Sequence, residues 1–320
     1  MTNFQVYRKT ISYSFVMLCC DLLSLILVIG LSVAGFYIGA SMGDSQALIG
    51  LAIGLILGII AGVLVGYLLT NRVKAAQIAM MTKGVTENAL PDHVFHEGFN
   101  ELKGRFAKIT LFFFVVNTIK RIFRRIGRTF TRVGQAVGGK VGGGIASAID
   151  SAIQTVIAYL ADCCLGWALF RKDKGVGSAA CEGATIFFKH GKTLVKNIGR
   201  IFGIGIASFV LIGGAFFGIL YLIFTQIPQV FTALSEAIID AGAADTDAIS
   251  DPKTLLLIIA AVIAIVLWSF IHKVLIRPFI LVGVLRNFME AGQAHIPTEQ
   301  EMDEVDNKIP GFRKLRDRTE

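Results

Sequence analysis

Apolar residues in this chain run in long uninterrupted blocks instead of alternating with polar ones. Four blocks are long enough to cross a hydrocarbon core of ~30 Å. They are Ser14 to Gly39, Ala47 to Leu69, Ile201 to Phe224, and Leu255 to Ile271, the last continuing past His272 and Lys273 into a second apolar run. A helix satisfies its own backbone hydrogen bonds inside lipid, so blocks of this length predict membrane-spanning helices. The second block carries Gly50, Gly54, Gly58, Gly62 and Gly66 at a strict four-residue interval. That interval places all five on one stripe of a helix, where a neighbour can approach backbone to backbone. In water each glycine would cost the helix about 1 kcal/mol relative to alanine. The first block carries a shorter series, Gly35, Gly39 and Gly43. A close antiparallel hairpin of the two blocks is the simplest pairing. Self-association through the stripe competes with it, as does a stripe that also lines or gates a path.

Between the second and third blocks the pattern changes. In TIKRIFRRIGRTFTRV, Ile119, Ile122, Phe123, Ile126, Phe130 and Val133 recur at helical spacing. Lys120, Arg121, Arg124, Arg125, Arg128 and Arg132 take the other face. This reads as a basic amphipathic helix lying on anionic lipid, each cation contributing about 1 kcal/mol at most. Nucleic acid does not fit, because no recognition module surrounds the cluster and KITLFFFVVNTI beside it is too apolar. Lys108 to Ile119 is too short to span and reads as interfacial, re-entrant or half of a bent helix. A second small-residue stripe follows, Gly134, Gly138, Gly142 and Ala146, leading into a segment with Asp150, Gln154 and Asp162. Residues 144–170 could cross by length, but basic stretches flank both ends. Either they are amphipathic or re-entrant, leaving four spans, or they cross together with Lys108 to Ile119, giving six. In the six-span arrangement Asp150 and Gln154 become intramembrane polar groups facing a bundle interior or a hydrated path.

Charge fixes the expected orientation. The 320 residues carry a net charge of +8 and only 17 % are charged, with a mean hydropathy of +0.66. That composition belongs to a polytopic membrane protein. Basic residues concentrate from Arg72 to Arg132, from Arg171 to Arg200 and at the end of the chain. Glu236, Asp240, Asp245, Asp247 and Asp251 face a single Lys253 in the loop after the third block. The positive-inside rule puts that loop outside and both termini in the cytoplasm, the cell membrane being the expected location. The first block is too long for a cleavable leader. Cys19, Cys20, Cys163, Cys164 and Cys181 lie in apolar or basic contexts, which argues against a disulfide framework.

The organisation read from these signals is all-helical. Residues 1–70 form a transmembrane hairpin, and 71–138 an inner-side segment with the basic helix. Residues 139–200 form a re-entrant or membrane-associated helix with a basic loop, 201–292 a second hairpin, and 293–320 a charged tail. ILVGVLRNFMEAGQ reads as an inner-surface helix, and Pro278 as a bend. VGGKVGGG lacks the spacing of a phosphate loop, and no metal-binding or nucleophilic motif stands out. No cofactor, metal or enzyme activity is expected. His93 and His96 after Pro91 read as part of a solvated loop.

GGGIASAIDSAIQTVIAYL, ADCCLGW, SAACEGATIFFKHGKTLVKN, GAFFGILYLIFTQIP and RNFMEAG resemble the C-terminal membrane core of the choline-transporter-like family, over residues 139 to 293. The resemblance implies passage of a quaternary ammonium or a related small solute. Such a solute calls for an aromatic cage near an acid. Tyr159, Trp167, Tyr221 and Trp268 would supply the rings, with Asp150 or Asp162 as counter-charge. The first functional expectation is therefore a small-solute transporter or an oligomeric channel, several copies completing the path. The alternative is a non-transporting scaffold or assembly protein, associating through glycine stripes and holding anionic lipid or a partner through the arginine helix.

Overall fold

The computed structural model describes residues 1–105, 117, 143–196, 198–240 and 251–308. Lys108 to Ile119 apart from Asn117, the basic helix at Lys120 to Arg132, the stripe at Gly134, Gly138 and Gly142, and Asp245 and Asp247 lie outside them. Every described regular element is helical. Four helical stretches are long and apolar enough to cross a membrane: Asn3–Met42, Gln46–Thr86, Gly203–Thr225 and Pro252–Ala294. The chain divides into two compact units, one made of Met1–Ile198 with Pro278–Glu320 and the other of Gly199–Arg277.

In the first unit, α1 (Asn3–Met42) and α2 (Asp44–Val65) form a hairpin. Gly43, at φ +144°, makes the turn, a conformation that side chains disfavour. Glycines set how closely the two helices approach. A Cβ on Gly35 would be driven into the carbonyl oxygen of Gly50, and one on Gly50 into that of Gly35. Gly39 lies on the Gln46 carbonyl in the same way, and Gly54 on that of Leu31. At Gly58 an added Cβ would sit 2.8 Å from the Val28 Cα. Gly62 is looser, an added Cβ there lying 3.3 Å from the Ser24 carbonyl oxygen, and the Ser24 hydroxyl donates to the Cys20 and Gly62 carbonyls. Gly66 has nothing within 4 Å among the described residues. Away from this contact the side chains are exposed, Ile26 at 65 % and Leu48 at 69 %, as lipid-facing residues are.

Both helices continue beyond the hairpin's apolar part, and there their surroundings change. At 40 residues, α1 is about 60 Å long, roughly twice the hydrocarbon thickness. Its start is fixed by a capping box between Thr2 and Gln5. After a π-helical turn at Gly66–Thr70, the second helix runs on as α3 (Asn71–Thr86). Of the 16 residues of α3, 11 are buried, on every side of the helix, so it is the central helix of a bundle. Gln77 donates to the Thr10 carbonyl (3.1 Å) and the Ser14 hydroxyl (2.8 Å) of α1. Helix α4 (Val94–Arg105) begins two residues after Asp92, so the segment after Pro91 is mostly helix and not loop. It rests on the Tyr13 hydroxyl, which donates to the Val94 carbonyl at 2.5 Å beneath Gly98.

Four more helices close this bundle: α5 (Gly143–Phe170), α6 (Val176–Lys196), α11 (Arg277–Ala294) and α12 (Glu299–Lys308). Over 280–293, read from the sequence as an inner-surface helix, Ile280, Leu281, Val282, Leu285, Phe288 and Met289 of α11 are buried in protein. Trp167 packs edge-on against Phe288 and fills the space that a Cβ on Gly292 would need.

The second unit holds α7 (Ile198–Ser208), a π-helical turn at Phe209–Gly213, α8 (Gly214–Thr225), α9 (Pro228–Asp240) and α10 (Pro252–Ile271). Here the helices meet through alanines and rings. Ala260 and Ala264 are buried, and Phe209 stands edge-on to Trp268 at 4.9 Å. Gly203, Gly205, Gly214 and Gly218 have open space beside them among the described residues. Asp251 caps α10 by accepting from the backbone of Lys253 and Thr254 and the Thr254 hydroxyl, and these bonds hold its carboxyl below the usual range. A third π-helical turn, His272–Ile276, precedes Pro278. Proline has no N–H to give, and a π-helical turn ahead of it absorbs the missing bond without breaking the helix.

The two ends of the glycine series are expected to differ. Gly50→Ala should lower stability by about 1–3 kcal/mol, because the opposing backbone cannot yield. Gly66→Ala should be neutral or slightly stabilising. Thermal unfolding of both variants in detergent checks the contrast.

Candidate functional site

Charged side chains enter the first unit's core where α3, α5 and α6 meet. Asp162 of α5 is 3 % exposed and its carboxylate lies 2.6 Å from the Lys74 ammonium of α3. A second acid, on α6, lies deeper still. Glu182 is fully buried. Its carboxylate accepts from the Trp167 indole N–H at 3.0 Å. It also lies at ion-pair distance from Arg171 (3.2 Å) and Lys174 (2.8 Å). Arg171 in turn grips Asp173 with a bidentate fork, Nε to Oδ1 at 2.8 Å and Nη2 to Oδ2 at 2.7 Å. The fork raises the Arg171 pKa and holds the Asp173 carboxyl low. Glu182, Asp173, Arg171 and Lys174 sum to zero charge, so the fully buried Glu182 carboxylate is compensated by cations that reach toward solvent.

A third acid, Glu101 of α4, takes Lys172 at 2.7 Å and Lys83 of α3 at 3.6 Å. These three groups rim a small solvent-open cleft that Thr82, Thr86, Leu169 and Phe170 also line. Thr82 Oγ1 is buried with no hydrogen-bond partner among the described residues, close against Gly166.

The residues expected to form a solute path are placed as follows. Asp162 is occupied by Lys74, and Tyr159 is 3 % exposed inside the bundle. Gln154 is half-buried one turn and a half before Tyr159. Asp150 falls within α5, but its side chain lies outside the described part. Trp268, in the second unit, donates to the Ser208 hydroxyl at 3.4 Å and packs on Phe209 and His272. Of the eight hairpin glycines, Gly35, Gly39, Gly50, Gly54 and Gly58 touch the opposing backbone, Gly43 turns the chain, Gly62 is in looser contact and Gly66 is open.

Sequence reasoning missed Glu182, Arg171, Lys174, Lys74 and Glu101. A faint signal existed for Glu182, a lone acid in the apolar run SAACEGATIFF with cations 8 and 11 residues before it. The five cysteines are free thiols. Burial pushes the Cys163 and Cys164 thiols well up, with the neighbouring Cys181 and Asp162 adding to the effect, so both stay protonated at neutral pH. Among the described residues no three metal-binding side chains converge.

Removing the Glu182 carboxylate takes a buried partner from Arg171 and Lys174 and leaves the Trp167 N–H without its acceptor. Glu182→Ala should therefore cost about 3–5 kcal/mol, measured by denaturant unfolding in detergent. Iodoacetamide labelling of Cys163 and Cys164, slow in the native protein, should accelerate in that variant. Unchanged stability and labelling would mean that the cluster holds nothing.

The chain matches no family model, no curated protein and no solved structure.

Proposed function

We propose that this protein is a membrane-embedded scaffold that presents an ion-paired helical bundle at the bilayer surface and conducts no solute. The observation that carries this reading is the state of Asp162. A path-lining acid stays accessible to solvent and solute, whereas this one is buried and neutralised at 2.6 Å by Lys74. Tyr159 beside it is closed off as well. Both act as pins between α5 and its neighbours. The apolar hairpins supply the anchor. On this reading the basic segment from Lys120 to Arg132 adds affinity for anionic lipid, each cation being worth about 1 kcal/mol at most. Gly214 and Gly218, four residues apart on α8 with open space beside them, offer a face for a second copy, as small-residue stripes do in lipid.

Reconstitution into liposomes tests the reading. Labelled choline, potassium and chloride should cross no faster than in protein-free vesicles. Neutralising Arg121, Arg124, Arg125 and Arg128 together should lower the enrichment of anionic over zwitterionic lipid around the reconstituted protein several-fold. Saturable flux that Asp162→Asn abolishes would overturn the proposal in favour of transport.

A further inference from the structure

The acidic helix α12 lies on the basic end of α6, and the pairing points to what that end binds when it is free. In α12, Glu299, Glu301, Asp303, Glu304 and Asp306 stand against Lys308. Met302 and Val305 bury its apolar side at 2 % and 8 % exposure. Glu301 is the polar anchor: its carboxylate pairs with the Lys189 ammonium of α6 and lies 3.1 Å from the His295 Nε2. The same carboxylate accepts the Thr298 backbone N–H at 2.9 Å, which closes a capping box at the start of α12. Below this contact, His190 Nε2 is buried with no hydrogen-bond partner among the described residues, its ring 6.4 Å from that of His295.

Along α6, Lys189, Lys192 and Lys196 follow at intervals of three and four, so they fall on one helical stripe. Lys196 precedes the apolar stretch Gly203–Thr225 by seven residues. A chain of that length spans at most about 25 Å, which keeps this basic end near a bilayer surface. Helix α12, at 10 residues, is too short to persist without its contacts.

We propose that the Lys189, Lys192 and Lys196 stripe, with His190, is a binding surface for anionic phospholipid headgroups. In this arrangement α12 is an intramolecular cover whose Glu301 carboxylate stands where a headgroup phosphate binds. A headgroup and Glu301 compete for the same ammonium, so an anionic bilayer displaces the cover and a zwitterionic one does not. Departure of α12 also opens His190 Nε2 to a headgroup oxygen. The inference needs only the apolar spans and is independent of the scaffold reading.

Hydrogen exchange over residues 299–308 tests it in full-length protein. The protein is placed in phosphatidylcholine nanodiscs and in nanodiscs that also contain phosphatidylserine. Exchange in α12 should be about tenfold faster in the anionic discs. The double variant Lys192→Gln with Lys196→Gln, which leaves the Glu301 contact intact, should keep α12 protected in both. Neutralising the cations from Lys120 to Arg132 should leave the lipid response in place. Equal exchange in the two discs would overturn the proposal, and so would a lipid response that survives the double variant.

Discussion

The backbone contact between α1 and α2 is the constraint on which the first unit depends. Inside lipid no hydrophobic force draws two helices together, so their separation is set by how closely the backbones fit. Glycine at 35, 39, 50, 54 and 58 lets the two helices touch carbonyl to Cα. Each helix then runs on without a break into the bundle, so the register chosen by the glycines is handed down the chain. It brings Gln77 to Thr10 and Ser14, and Lys74 to Asp162. The π-helical turn at Gly66–Thr70 lies where the environment of the second helix changes from exposed to buried. One extra residue per turn re-aims the helix face there, and the Asn71 side chain donates to the Tyr67 carbonyl within the altered stretch.

Buried charge is the second theme. Three acids, Asp162, Glu182 and Glu101, each meet at least one cation contributed by another segment. Such pairs add little net stability over a packed apolar core, but losing one partner is costly, so they select one packing over its competitors. Polar groups in an apolar segment mark a solute path only when they are open to one, and Asp162 is buried against Lys74. The bundle carries a cleft among the helices α3, α4 and α5.

Much of the membrane part was legible in the chain. Four apolar blocks gave the spans, and the four-residue glycine interval gave the face of α2 that meets α1. The bundle was hidden for a physical reason. Helix α3 reads NRVKAAQIAMMTKGVT, with cations at 72, 74 and 83, and polar residues suggest an exposed surface. Their partners lie 88 residues away for Lys74 and 67 for Gln77, and no local periodicity encodes contacts at that range. Two helix starts were available and went unread: T-x-x-Q at Thr2 and T-x-x-E at Thr298 are both capping boxes. The second starts α12 within the charged tail. For the proposed path, sequence spacing put Asp150, Gln154, Tyr159 and Asp162 on one segment, yet it could not tell that Lys74 waits opposite Asp162.

If hairpin contact sets the register of the bundle, a wedge in lipid must loosen α3, about 35 Å along the helix from Gly54. Amide exchange across residues 71–86 in a Gly54→Val variant measures this directly. Loss of protection in α3, centred on Gln77, is the result the account predicts. Full protection in α3, with the disturbance confined to α1 and α2 around residue 54, would contradict it and show that the bundle assembles independently of the membrane hairpin.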